Sequence, residues 1–329
     1  MKAIQENNAP FIKENESGQP RASYLKKGEG VLGNALSVSE LKKNTPYIVK
    51  ELNSNRMLCI NGTSGNNQRA FMGDGGTYSD FVIPIIFDRD PSDGEVHITG
   101  TQGNPGDNPF RLGSNGGGDG EGIYWGRSDF PDWFKNVSFK LKSRGRYLDE
   151  GEYYVLAYTP FIADRYVYCG SGSWDWLRLN GSDEIFLTFH KFYYSVSKIK
   201  DIINLTWPNA KISYQDYKTG DAYYETVTNE LAGEIYSKSN LSSYKWVEDK
   251  FDCDDFSYTY KAQSSREAYL DKGSRYGYAV GTVFGRSSKG SHAVNMFLDA
   301  DLNVKIIEPQ NGGIINGKDW EFIPYFILI

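Results

Sequence analysis

After Phe189 the chain changes period, and that switch limits the available folds more than any other feature of the sequence. From Tyr47 to Phe189 the apolar residues fall in short β-type runs broken by Gly, Asn, Asp, Ser and Pro, with no helical period. Beyond it, Tyr224, Val227, Leu231 and Ile235 are spaced by three and four, which places them on one face of a helix expected over 221–236. A shorter helix is expected over 197–204 and a long one over 252–270, followed by strands over 278–284, 292–298, 303–307 and 322–329. Helices followed by an antiparallel sheet make an α+β unit. The first 45 residues are polar, rich in Asn, Glu, Gly and Lys, and read as a flexible arm. With 329 residues, more than one core of ordinary size usually holds, the expected division is an arm over 1–45, an all-β domain over 46–195 and an α+β domain over 196–329.

Within the all-β part a threefold recurrence appears. Units run from 47–49 to 81–83, from 96–98 to 137–139 and from 153–155 to 185–187, each opening and closing on an apolar run. Three such units resemble a β-trefoil, the fold of ricin-B-type lectins, although evenly spaced strands also suit a sandwich or a generic barrel. The glycine-rich stretch 100–122 reads as an exposed loop. No Gln-x-Trp sugar signature is present; Asp175-Trp176-Leu177 and Tyr124-Trp125-Gly126 are the nearest aromatic candidates. Their rings could stack on a sugar, or equally fill the core.

Thirty-six basic against 42 acidic residues give a net charge of −6, which argues against a chain that grips nucleic acid or anionic membrane by charge. The first eight residues lack the apolar region of a signal peptide, and the apolar run 322–329 is too short to span a bilayer. The expectation is a soluble protein, cytoplasmic or released by a non-classical route. Three cysteines cannot form a disulfide framework. Cys59 and Cys169 sit in apolar, strand-like surroundings and read as small buried hydrophobes.

Cys253 differs, because it falls in the first turn of an expected helix, where the macrodipole favours a thiolate. His292, in Gly290-Ser291-His292-Ala293-Val294-Asn295, lies on a strand downstream. Period-two counting then puts Glu308 on the same inward face as Val304 and Ile306, where a carboxylate needs a partner such as an imidazole. A cysteine, a histidine and an acid in this order are the components of nucleophilic attack on a carbonyl: Cys253 as nucleophile, His292 as proton carrier, Glu308 as orienting acid. Trp246 and Asp249 are close enough in sequence to line the same cleft, and N–H groups at the helix start could hold an oxyanion.

These motifs, with Cys253-Asp254-Asp255-Phe256 and Ile307-Glu308-Pro309-Gln310-Asn311-Gly312, resemble the C-terminal part of the Marasmius oreades agglutinin-like chimerolectin family over roughly residues 200–329. The resemblance implies a ricin-type β-trefoil joined to a papain-like cysteine protease domain that requires calcium, the same three catalytic residues, a dimer formed through the protease domain, and a toxin or defence role. Asp252, Asp254 and Asp255 suit a helix N-terminus on their own account. Carboxylates beside Cys253 nevertheless oppose its ionisation, and a cation would reverse that field. Oxygen donors favour Ca²⁺ or Mn²⁺ over zinc, and the resemblance implies calcium on Asp254 and Asp255, with Asp252 as a third ligand.

The expected fold class is therefore multidomain, an all-β β-trefoil plus an α+β papain-like domain. The expected function is a calcium-dependent cysteine peptidase delivered to a glycan-bearing target. Its expected partners are a protein or peptide substrate, a glycan bound by the first domain and a second copy of the chain, with no nucleic acid. Two alternatives remain: a non-catalytic lectin or binding protein whose second part is a peptidase-like dimerisation module, and a Cys-His amidase or acyltransferase.

Overall fold

The computed structural model describes residues 29–61, 67–101, 110–114, 116, 119–126, 138–147, 151–158, 165–208, 210 and 217–329. The strand Leu187–Ser195 organises them. Eight of its nine residues are buried, because neighbours flank it along most of its length. Its first half pairs with Pro46–Glu51, from Leu187↔Glu51 to His190↔Ile48, and Leu187 also pairs with Tyr154 of the strand Gly151–Tyr158. Its second half pairs with Gly30–Ala35 on one edge and with Tyr223–Glu225 on the other. Of the expected flexible arm, 1–28 lies outside the described residues, while Gly30–Ala35 forms this antiparallel strand. The glycine-rich stretch is only partly described, and within it Phe110–Ser114 is a strand.

Sixteen strands join this first hydrogen-bonded network and six form a second sheet. The order of the second sheet is Tyr217–Lys218, Ile323–Leu328, Val280–Ser287, Gly290–Leu298, Val304–Ile307, Ile314–Asn316. All its pairings are antiparallel except the first. The C-terminal apolar run is thus an inner strand, paired along both edges.

Three α-helices occur among the described residues: α1, Val196–Thr206; α2, Asn229–Ser239; and α3, Cys253–Leu270. Ser195 caps α1 by accepting a hydrogen bond from Lys198 N, and the helix buries Ile199, Ile202 and Ile203. Helix α2 starts later than its periodicity predicts. Tyr223–Glu225 is taken up as a strand against Tyr193–Ser195, and the Thr228 hydroxyl, accepting from Leu231 N, supplies the first cap. Asn240, at φ 57°, ends α2 in the left-handed conformation that asparagine tolerates. No helix among the described residues is long and apolar enough to cross a membrane.

The expected fold class, a β-trefoil beside a separate α+β papain-like domain, is corrected here. The chain is mostly β, and although one hydrophobic cluster lies wholly in the first part and another wholly in the second, the core is not fully divided at the change of period. A third cluster takes Ile48, Phe71 and Val82 from the first part, Ile199 and Ile203 from α1, and Val283, Met296, Val304 and Ile327 from the second sheet. One face of that sheet is therefore buried against the first part. The strand Tyr223–Glu225, on the far side of α1, completes the edge of the first network. Apolar area this extensive is more favourably buried in a shared interface than exposed on two separate units.

Candidate functional site

The second sheet presents a cleft of about 620 Å³ lined by Lys289, Ser291, His292, Glu308, Trp320 and Phe322, among others. His292 stands on the strand Gly290–Leu298, and Glu308 immediately follows Val304–Ile307, its neighbour in the sheet. The structure brings these two expected residues together: His292 Nε2 lies 2.7 Å from Glu308 Oε2. An ionised carboxylate accepts, so in this pair Nε2 is the donor. Gln310 N donates to the other carboxylate oxygen at 3.2 Å, which fixes Glu308 from its own turn.

Two aromatic rings form the opposite wall. Trp320 and Phe322 lie 5.4 Å apart by centroid, and Phe322 is also 5.4 Å from the His292 ring. Trp320 packs in turn on Trp207, whose indole N–H donates to Gly317 O at 2.8 Å. Asp319 is exposed at the rim, and Lys289 pairs with Glu321 at 2.6 Å. The sequence reading missed Trp320 and Asp319. Their trace is present in Asp319-Trp320-Glu321-Phe322, which alternates acid and ring just before the last strand.

Cys253 occupies the first position of α3, as its sequence context predicts. Asp252 caps the helix, accepting from Asp254 N, while the Asp255 carboxylate accepts from Asp252 N to close a capping box. Asn295, fully buried, donates through Nδ2 to Ser257 O at 3.0 Å and Gly281 O at 3.3 Å, tying the first turns of α3 to the sheet. Among the described residues no hydrogen bond joins Cys253 Sγ to His292. Burial raises the Cys253 thiol above its ordinary range; the Ala293 N–H opposes this, and the charges of Asp252 and Asp254 add to it. Trp246, 51% exposed, and Asp249, at φ 55°, lie outside the cleft lining.

The ligand atoms of Asp252, Cys253 and Asp254 lie within 4.8 Å of one another. Asp254 is held above the usual carboxylate range chiefly by its hydrogen bond to Asp252, which is correspondingly held below it. Two carboxylates in contact provide oxygen donors of the kind Ca²⁺ or Mn²⁺ takes. The sulfur between them is a poor calcium donor, and Asp252 and Asp255 both serve the helix cap as well.

The aromatic sugar candidates separate. Trp125 is fully buried and its indole N–H donates to Cys59 O at 3.2 Å, so it belongs to the core. Trp176 is half-buried beneath the Arg69 guanidinium, 4.9 Å from the ring centroid, and 5.3 Å from Trp174. Cys59 and Cys169 are free and buried, and burial pushes the Cys169 thiol up to about 12.

Residues 224–314 match the protein-family model described as Agglutinin C-terminal. No curated protein matches the chain. Among solved structures, the Polyporus squamosus lectin bound to a human-type influenza-binding epitope is 19% identical, with 88% of this chain and 100% of that chain covered and a TM-score of 0.40. A PSL1a–E64 complex is 18% identical over the same shares at 0.41. A Kunitz-type cysteine protease inhibitor from potato is 15% identical, covering 48% of this chain and 97% of the other, at 0.32. Scores below 0.5 support no argument about fold or function. The family match overturns one expectation. The stretch that carries Cys253, His292 and Glu308 matches an agglutinin model, which overturns the expectation of a papain-like cysteine protease, a thiol protease or a hydrolase.

Proposed function

We propose that this chain is a non-enzymatic, glycan-binding protein of agglutinin type. The observation that carries this reading is the match of residues 224–314 to the Agglutinin C-terminal model. The cleft of the second sheet supports it chemically. Trp320 and Phe322 offer flat rings for the apolar face of a sugar, and His292, Glu308, Ser291 and Asp319 offer donors and acceptors for its hydroxyls. Agglutination requires at least two such sites in one particle, and a homodimer is the simplest way to supply them.

A glycan array followed by titration of the best ligand tests this reading. Wild type is expected to bind, and Trp320→Ala and Asp319→Ala are each expected to weaken binding at least tenfold, corresponding to roughly 1.4 kcal/mol or more. Asp319 is exposed, so its variant folds even if removal of Trp320 disturbs Trp207. An array with no bound glycan would sink the function, and full binding by both variants would sink the cleft.

A divalent ion is the second component of the proposal, held by Asp252 and Asp254 at the start of α3. Supplied there, Ca²⁺ would screen the two carboxylates from each other. Saturating Ca²⁺ is expected to raise the melting temperature by about 5 °C over chelator in wild type and to have no effect in Asp254→Asn. Scanning fluorimetry decides this, and equal melting with ion and with chelator refutes it.

A further inference from the structure

A second cavity, of about 530 Å³, opens farther along α3, roughly 12 Å down the helix axis from Cys253. Its walls are α3 at Lys261 and Ser264, the turn at Asp221 and Tyr224, and the loop bearing Arg275 and Tyr276. Two polar groups on this wall lack what their burial demands. Ser264 is 1% exposed, and its hydroxyl has no hydrogen-bond partner. Lys261 is half-buried, and its ammonium makes no hydrogen bond or ion pair among the described residues. Asp221 acts on it only through space.

Tyr224, on the opposite wall, is already committed. Tyr224 Oη donates to Ile329 O at 3.3 Å and accepts from Gly220 N and Asp221 N. Ile329 O also accepts from Gly220 N. Arg275 is exposed and lies over the Tyr276 ring, 5.3 Å from its centroid, with its guanidinium available for a further partner. A desolvated ammonium without a counter-ion and a buried hydroxyl without a partner are each costly, and the two line one space.

We propose that this cavity binds a small polyol carrying one oxyanion, a carboxylate or a phosphate, with the anion on Lys261 and Arg275 and a ligand hydroxyl on Ser264. The tyrosine rings suit the carbon skeleton of such a molecule, and a single anionic group satisfies the ammonium that no protein carboxylate pairs with. The site is separate from the proposed glycan cleft, with no lining residue in common, and does not depend on it.

The test is isothermal titration of the full chain with glucuronate, glucose 6-phosphate and glucose, the last as a neutral match. At pH 7.0 at least one acid is expected to bind ten or more times tighter than glucose, and the better acid identifies the anion. Burial pushes the Lys261 ammonium down to about 8, with Asp221 opposing. Raising the pH to 9.5 should therefore weaken the acid by about 30-fold, following the fraction of protonated lysine. Burial holds Tyr224 and Tyr278 above their ordinary range; Tyr269 and Tyr276 also line the cavity, and glucose titrated at both pH values is the control for them. Lys261→Met should abolish binding, and Ser264→Ala should weaken it about fivefold, the worth of one hydrogen bond. The proposal fails if neither acid outbinds glucose, if wild-type affinity is the same at both pH values, or if folded Lys261→Met binds as wild type. Should that variant not fold, the wild-type pH comparison decides alone.

Discussion

Lys191→Met is expected to lower the stability of the whole chain by about 3–5 kcal/mol, the range for breaking a buried ion pair from one side. The Lys191 ammonium, on the central strand Leu187–Ser195, lies 2.7 Å from Glu225 Oε1 and 2.5 Å from Asp271 Oδ2, and its side chain is 1% exposed. Burial alone would lower this ammonium, but Glu225 and Asp271 more than reverse that and hold it above its ordinary range. Without it, two carboxylates remain in the interior with neutral donors alone: Ser274 Oγ at 2.7 Å from Glu225, and Gly273 N at 3.0 Å and Tyr278 Oη at 3.5 Å from Asp271.

The pH dependence follows from Glu225. Burial raises its carboxyl, so the folded state binds that proton more tightly than the unfolded chain, and folding gains stability as pH falls toward the ordinary value of 4.5. Loss of the lysine strengthens this effect. The deficit of Lys191→Met should therefore be largest at neutral pH and shrink as the solution is acidified. Glu225→Gln with Asp271→Asn in the same background should recover more than half of it. Urea denaturation at pH 7 and pH 5 measures all three; a deficit under 1 kcal/mol at neutral pH would show that water or another donor replaces the lysine.

Trp125→Ala is expected to cost about 3–5 kcal/mol by a different route, the cavity left when a large aromatic is removed from a packed core. Trp125 is fully buried with Ile83, Leu112 and Ile123, and a Cβ at Gly100 would come within 3.1 Å of its ring, so little can move in to refill the space. Its indole N–H also satisfies Cys59 O, which would lose its side-chain partner. Trp125→Phe keeps most of the volume and forfeits the donor, so it should cost about 1–2 kcal/mol. Denaturant midpoints separate the two, and an alanine variant within 1 kcal/mol of wild type would mean that the site collapses.

Much of the site's local geometry was legible in the sequence. Asp252 before Cys253 carries the composition of a helix start, and α3 begins there because the capping box satisfies its first N–H groups. Glu308, counted inward, needed a partner and has His292. Less legible was what those residues do. Residue types at suitable spacing describe a reaction that could occur, whereas burial and then the carboxylates of Asp252 and Asp254 push the thiol away from ionisation, and the stretch matches an agglutinin model. The division of the fold was hidden for another reason. Periodicity reports which face of an element is buried but not against what, so Tyr223–Glu225 read as the start of a helix when its partners were Tyr193 to Ser195, across α1.

That pairing bears on how such a chain can change over evolutionary time. Proteins assembled from independent units diversify by shuffling, exchanging one recognition module for another at a linker. Here a cut after Ser195 would strip Tyr223–Glu225 of its neighbour and turn Val283, Met296 and Ile327 toward water. Recombination at that point would expose apolar surface on both parts, which favours substitution within an intact chain as the route to new binding preferences.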